Sequence, residues 1–220
     1  MLQTSTSPKA QAPIAPKVTP PHDGHIVILT GAGISQESGL ETFRDAGDIW
    51  SKVRLEDVAT PEAFARDPER CHAFNNMRRA RHRAADIKPN AAHLALVRLE
   101  AEWPGEVMVI TQNVDSLHDH AGTKNLVHMH GNYSEARCMQ CAHVAAWPGD
   151  LSVRDICENC GQAGGLRPNV VWFGEMPMEM KRITAALIDC DLFISIGTSG
   201  NVYPAAGFVA LVRKTTGAHT

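Results

Sequence analysis

The sequence predicts an α/β fold in which a parallel sheet carries a small, metal-held inserted lobe. Three observations lead there. Short apolar, β-branched runs alternate with helical segments along the chain, the pattern of strands buried on both faces. The first run, His25-Ile-Val-Ile-Leu-Thr30, feeds the tight turn Gly31-Ala32-Gly33-Ile34-Ser35. Four cysteines fall as Cys138-x-x-Cys141 and Cys157-x-x-Cys160, with 15 residues between the pairs, the spacing of a zinc ribbon.

Residues 1–24 are rich in Pro, Ser, Thr and Ala, lack an apolar signal-type stretch, and carry only Lys9 and Lys17 before His22. A disordered tail is expected there. Ile26–Leu29 is the first strand. The glycines after it let backbone approach a phosphate without a Cβ in the way, and the N–H groups of a following helix would face that anion. The dinucleotide fingerprint requires a third glycine at position 36, where this chain has Gln36, so the motif alone is incomplete. Residues 36–102 read as mostly helical, with Asn90 capping a half-buried helix. Within them, Arg78-Arg79-Ala-Arg81-His-Arg83 is expected to be a solvated helix face, with an anion patch as the alternative. Further strands are expected at Glu106–Thr111, Val127–His130, Asn169–Phe173 and Asp191–Ile196. The segment 134–165 interrupts the alternation with the cysteine pairs and the turn signals Trp147-Pro-Gly and Gly164-Gly165. The expected division is therefore 25–133 with 166–220 for the larger unit, and 134–165 for the lobe.

Composition narrows the function classes. Of 220 residues 44% are hydrophobic, enough for a packed core. The formal net charge of -3 gives no general attraction to nucleic acid or an anionic membrane. No apolar run of about 18 residues is present, so no transmembrane helix is expected. Two-residue spacing lets two thiolates on one turn reach the same tetrahedral ion. With no export signal, zinc is favoured over disulfides and a reducing, cytoplasmic location follows. Cys71 and Cys190 read as buried, inert thiols.

Several segments carry chemistry. Gln112, Asn113, Val114 and Asp115 follow the second strand, where open α/β sheets bind ligands. His130, in His128-Met-His130-Gly131, ends the third strand in the pKa range of a base near neutral pH. A structural histidine satisfied by backbone is its other reading. Val171-Trp-Phe173-Gly174-Glu175 and Gly197-Thr198-Ser199 also follow strands, and the second suits close approach to a phosphate or ribose.

Taken in order, Gly31–Ser35, Ser38-Gly39, Thr42-Phe43-Arg44, Thr111–Asp115, His130-Gly131, the four cysteines, Phe173-Gly174-Glu175 and Gly197–Ser199 resemble the motifs of the sirtuins, NAD-dependent protein lysine deacylases. The resemblance runs from about residue 25 to 220. It implies a Rossmann-like sheet with helices on both faces, and a small lobe joining the zinc ribbon to a helical module at about 44–88. NAD would lie between the two. Gly31, Ala32 and Gly33, with Ser35 in the same loop, would cradle its pyrophosphate. Phe43 and Arg44 would sit on a loop over the nicotinamide. Gln112, Asn113, Val114 and Asp115 would contact ribose and nicotinamide, while Gly197, Thr198 and Ser199 would hold the adenosine side. His130, Asn113 and Asp115 are the implied catalytic residues. An acyl-lysine protein or peptide would add a strand across Val171, Phe173, Gly174 and Glu175, and its acyl group would leave on ADP-ribose. Cys138, Cys141, Cys157 and Cys160 would close a structural zinc site with no open position for substrate.

Two departures stand out. Ala73-Phe74-Asn75-Asn76-Met77-Arg78 aligns with the acyl-pocket motif of desuccinylase-like members, in which a Tyr and, three residues on, an Arg hold an acidic acyl chain. Arg78 is kept and Asn75 replaces the Tyr, so deacetylation with weakened desuccinylation is expected. The chain also stops at Lys214–Thr220, where relatives continue into another strand and an adenosine contact. A bare sheet edge, low stability and a raised NAD requirement are expected from that. A catalytically impaired NAD- and zinc-binding remnant and a mono-ADP-ribosyltransferase are the alternative readings. Nucleic-acid binding is disfavoured, because residues 138–160 contain one Arg and no Lys.

Overall fold

The computed structural model describes residues 22–42 and 54–220; the expected tail, Phe43 and Arg44 lie outside the described residues. The first strand, β1 (Ile26–Thr30), is buried throughout. The turn after it runs into a 3-10 segment, Ala32–Ser38, that ends at Gly39 with φ 86, a tighter element than the α-helix expected there. Helix α1 (Pro61–Arg66) begins at Thr60, whose hydroxyl accepts from Ala63 N at 3.0 Å. Helix α2 (Pro68–His82) begins at Asp67, which accepts from Arg70 N at 3.0 Å. Both have Pro at the first turn, where the missing N–H costs nothing. Helix α3 (Ala91–Glu102) starts at the expected Asn90 cap. Then come β2 (Val107–Thr111), α4 (Leu117–Ala121), β3 (Leu126–His128), β4 (Gly131–Cys138), β5 (Val144–Ala146), β6 (Leu166–Val170), α5 (Met180–Asp189), β7 (Leu192–Ile196) and α6 (Phe208–Thr215).

Four strands form one parallel sheet in the order β3-β2-β1-β7. Alternate side chains of its centre feed two cores. Val27, Leu29, Met108 and Ile110 pack under α5 and α6 with Ile183, Leu187, Phe208 and Val212. Ile26, Ile28, Val107 and Val109 pack under α3 with Leu96. Helices on both faces explain why these strands read as unbroken apolar runs. Burying each Ile or Leu contributes about 1.5–3 kcal/mol. At the outer edge, His219 O accepts from Phe193 N at 2.9 Å, and His219 makes an isolated parallel bridge to Leu192. No helix among the described residues is long and apolar enough to cross a membrane.

The strand expected at Asn169–Phe173 is a correction. It runs Leu166–Val170 and joins a second, antiparallel sheet of order β5-β4-β6 instead of the parallel one. Pro168 has no N–H to donate, and β6 is an edge strand, the position where a sheet tolerates it. This sheet takes in residues on both sides of the expected 134–165 segment.

Candidate active site

Sheet topology sets the site. The chain runs from β1 to β2 and β3 on one side, then returns to β7 on the other, so the strand order reverses between β1 and β7. Such a switch point leaves a crevice at the carboxyl ends of the strands. Loops 31–35 and 197–199 are its walls, and loop 112–115 after β2 lies alongside.

The walls are stitched together. Gly31 N–H donates to Ile196 O (3.0 Å) and Gly33 N–H to Gly197 O (2.8 Å). A Cβ on Gly31 would lie 2.8 Å from Thr198 Cβ, and one on Gly33 would lie 2.8 Å from Gly197 Cα. These glycines are required first by loop-to-loop contact. That revises the expectation that their amides face an anion, because both N–H groups are spent on β7 and its loop.

Side chains fix loop 112–115 to both walls. Gln112 Nε2 donates to Thr198 Oγ1 at 2.9 Å. Asn113 Nδ2 donates to Ser35 Oγ at 3.0 Å and to Gly31 O at 3.2 Å. Ser35 Oγ in turn donates to Asp115 Oδ2 at 2.9 Å, while Asp115 Oδ1 accepts from Leu117 N at 3.0 Å. Ser35, Asn113 and Asp115 are all buried, so this chain of bonds holds two loops in one register.

His130 follows β3 with Nδ1 3.0 Å from Gln112 O. A carbonyl only accepts, so Nδ1 carries the proton and Nε2 is the basic nitrogen. Burial lowers its pKa and outweighs the carbonyl hydrogen bond, which raises it. The ring is therefore neutral at pH 7 and able to take a proton. His128 is different. Its Nε2 lies 2.9 Å from Asp119, and although burial lowers its pKa, the hydrogen bond and charge of Asp119 raise it overall.

Val171 N–H donates to His130 O and Phe173 N–H to Ala59 O, at 2.9 and 3.0 Å, which ties the segment 171–175 to both sides of the site. Gly174 takes φ +86 in a turn closed by Glu175 N on Trp172 O. Phe173 is 56% exposed. Glu175 turns the other way: it accepts from Arg167 Nη1 (2.8 Å), Arg167 Nη2 (2.7 Å) and Trp172 N (2.8 Å). Burial pushes its carboxyl up, but those bonds and the charges of Arg167 and Arg137 hold it below the usual carboxylate range. Glu175 thus shapes this segment from within.

The four cysteines converge. Cys138 and Cys160 sulfurs are 3.7 Å apart, as are those of Cys141 and Cys157, and all four lie within 4.8 Å of one another. A tetrahedral ion with Zn–S bonds of about 2.3 Å sets sulfurs about 3.8 Å apart, so the thiols fit a closed zinc site.

The arginine run at the end of α2 is only partly the expected solvated face: Arg81 and Arg83 are exposed, but Arg79 is not. Arg79 is fully buried and donates through Nε to Tyr133 O (2.8 Å), through Nη1 to Gly149 O (2.8 Å) and through Nη2 to Trp147 O. Burial lowers its pKa to about 10, which leaves it charged. Arg83 bonds Pro148 O and Asp150, and Arg81 bonds Asp86 and Gly39 O. The planar forks staple α2 to the cysteine-bearing segment.

Asn75 is 2% exposed; its Nδ2 donates to Cys71 O (2.8 Å) and its Oδ1 accepts from the Tyr133 hydroxyl (3.1 Å). The Arg78 guanidinium carbon lies 5.7 Å from the Tyr133 ring and 6.0 Å from that of Phe74. Sequence reasoning missed Tyr133. The available signal was an aromatic residue directly after His130-Gly-Asn, one of two tyrosines in the chain.

Known proteins share this arrangement. The family model described as the Sir2 family matches residues 31–204. A curated NAD-dependent protein deacylase of Bdellovibrio bacteriovorus is 57% identical over 190 residues, 86% of this chain and 81% of the relative. The solved structure of a Sir2 homologue in complex with NAD superposes with a TM-score of 0.77 at 38% identity, covering 88% of this chain and 75% of that one. A Sir2 protein bound to a propionylated peptide gives a TM-score of 0.69 at 31% identity, over 88% and 78%. The chain belongs to the Sir2 family.

Proposed function

We propose that this chain is an NAD-dependent protein lysine deacylase, releasing nicotinamide and passing the acyl group of an acyl-lysine peptide to ADP-ribose. The observation that carries the reading is His130, held by the Gln112 carbonyl and kept neutral by burial, beside the switch-point crevice. The crevice suits NAD. Its walls offer the hydroxyls of Thr198 and Ser199 to a ribose, and the buried chain of Asn113, Ser35 and Asp115 holds the loops that line it in register. When bound, NAD supplies the ribose carbon that becomes electrophilic as nicotinamide departs.

In this reading Gly31, Ala32 and Gly33 line the diphosphate, and Gly197, Thr198 and Ser199 the adenosine end. Gln112, Asn113, Val114 and Asp115 face the nicotinamide ribose. Nε2 of His130 takes the proton of a ribose hydroxyl while Nδ1 stays on Gln112 O. Val171, Phe173 and Gly174 give an extended peptide its place as an added strand. Cys138, Cys141, Cys157 and Cys160 hold one zinc ion, a structural cross-link. Six unpaired thiols, four of them gathered for a metal, support a reducing compartment, the cytoplasm. We assign residues 25–133 and 166–220 to the NAD-binding unit and 134–165 to the ribbon.

The test is incubation of the purified chain with NAD and acetyl- or succinyl-lysine peptides, read by mass spectrometry, with His130→Ala as control. Acyl-ADP-ribose that depends on His130 is expected. No product from folded, zinc-loaded protein would overturn the reading, and ADP-ribose attached to protein would replace it with transferase activity.

A further inference from the structure

We infer that His128, paired with Asp119, is a positioning residue for the reaction: the pair fastens the turn that carries His130 to the segment that holds its imidazole. The inference rests on the deacylase reading and deepens it.

The segment from Thr111 to Asp119 is tied on two sides. Asn113 and Asp115 reach the glycine loop through Gly31 O and Ser35 Oγ. The other ties run to residues 128–134. Thr111 O accepts from Met129 N at 3.0 Å and Val114 O from Tyr133 N at 2.8 Å, while Gln112 O fixes Nδ1 of His130. Ser116 Oγ donates to Asn132 Oδ1 at 2.9 Å. The outermost tie is His128 Nε2 to Asp119 Oδ2, at 2.9 Å. It is the one tie of this set made between two ionisable side chains. His128 stands two residues before His130, with Met129 between them sunk in the core. A shift of His128 therefore moves the backbone that leads into His130, and small errors of aim at a reacting group cost rate.

Nε2 of His128 has two neighbours with opposite demands. Asp119 requires a donor there. Asn132 Nδ2, 3.4 Å away, is itself a donor. Its orientation is fixed, because Asn132 Oδ1 accepts from Ser134 N and Ser134 Oγ, each at 2.9 Å. The imidazolium form serves Asp119. A neutral ring can present its Nε2 lone pair to Asn132 instead, which releases Asp119 and slackens the turn.

The charges around the ring favour the imidazolium. Burial lowers the pKa of His128, but the bond to Asp119 and its charge, with the charge of Asp115, raise it overall. Burial pushes the Asp119 carboxyl up, but the bond and charge of His128, with the charge of His120, hold it below the usual carboxylate range. His118, on the same helix, is neutral: burial, then the charges of His93 and His128, lower its pKa to about 3. His130 is neutral as well. The Asp119 side chain is 44% exposed, so the pair adds little to stability. What it supplies is aim. Because the value for His128 is raised, the tie is complete below the ordinary histidine value of about 6.5 and is lost as pH rises through the raised one.

The test is kcat against pH at saturating NAD and acetyl-lysine peptide, for wild type, Asp119→Asn and Asp119→Glu. Wild type is expected to lose kcat on the alkaline side as His128 gives up its proton. In Asp119→Asn that limb should fall about one pH unit lower, so that kcat above both limbs drops about tenfold while the KM values for NAD and peptide hold. Asp119→Glu should return the limb toward wild type. An alkaline limb that Asp119→Asn leaves in place overturns the inference, and so does a loss of kcat by the same factor at every pH, the mark of a merely structural role. Imidazole nitrogen signals of His130, followed by NMR without substrate, should show a second inflection where His128 titrates, moved in Asp119→Asn. Its absence also overturns the inference. An inactive wild type that keeps this inflection fails the deacylase reading alone, which separates the two claims.

Discussion

Arg167 and Glu175 form a bidentate ion pair, 2.8 and 2.7 Å long, beneath the turn that carries Phe173 and Gly174. The guanidinium is fully buried and lies 3.5 Å from the centroid of Trp172, with a further bond to Val170 O at 2.6 Å. Residues on either side of Phe173 and Gly174 are thereby joined beneath that turn. The pair is asymmetric in exposure, 0% against 21% for the side chains, so loss of the carboxylate strands a buried charge.

Glu175→Gln is expected to destabilise the fold by about 3 kcal/mol, read as a lower midpoint in chemical denaturation. Pairing it with Arg167→Met, which removes the stranded charge, should recover part of that loss. Equal midpoints for wild type and Glu175→Gln would contradict this account.

The acid limb of kcat/KM should lie below the ordinary histidine range of about 6.5. Burial lowers the pKa of His130, and the reaction needs it unprotonated. Activity is therefore retained as pH falls past 6.5 and lost only as pH drops through the lowered pKa. An acid limb centred above 7 in a pH–rate profile would refute the assignment.

Gly33→Ala should raise the KM for NAD about tenfold, a strain of roughly 1–3 kcal/mol, with a smaller effect on the KM for peptide. The new methyl meets Gly197 Cα at 2.8 Å, backbone that moves only if loop 197–199 moves. Unchanged NAD kinetics would show that the walls need not touch.

Arg79→Lys keeps the charge but loses the fork, leaving carbonyls among Tyr133, Gly149 and Trp147 without partners. A cost of about 2–3 kcal/mol is expected. Chelating the metal should lower the unfolding temperature as well, with one zinc released per chain by spectrometric assay. A chain whose unfolding ignores a chelator would have no structural metal.

The parallel sheet was legible because its central strands β1 and β2 are buried throughout and its partly exposed outer strands β3 and β7 are still mostly apolar; all four stand within two residues of the apolar runs that announce them. The small sheet was not. β4, Gly-Asn-Tyr-Ser-Glu-Ala-Arg-Cys, has no apolar run and is held by pairing with β5 and β6. β6 was displaced toward Val171-Trp-Phe, whose side chains are more apolar than the Leu-Arg-Pro-Asn-Val that forms the ladder. The motif loops of the site announced themselves locally. Tyr133 and Arg79 did not, because their partners lie 58 and up to 70 residues away along the chain and no local pattern encodes such a contact.

Gln112 holds His130 with its main-chain carbonyl and Thr198 with its side-chain amide. The two jobs therefore differ in how mutation reaches them. A substitution at position 112 that removes the amide frees loop 197–199 from this bond, yet none deletes the acceptor that fixes the imidazole tautomer, since every residue type carries that carbonyl. Over evolutionary time, the tie to Thr198 is free to drift while the His130 ring stays aligned.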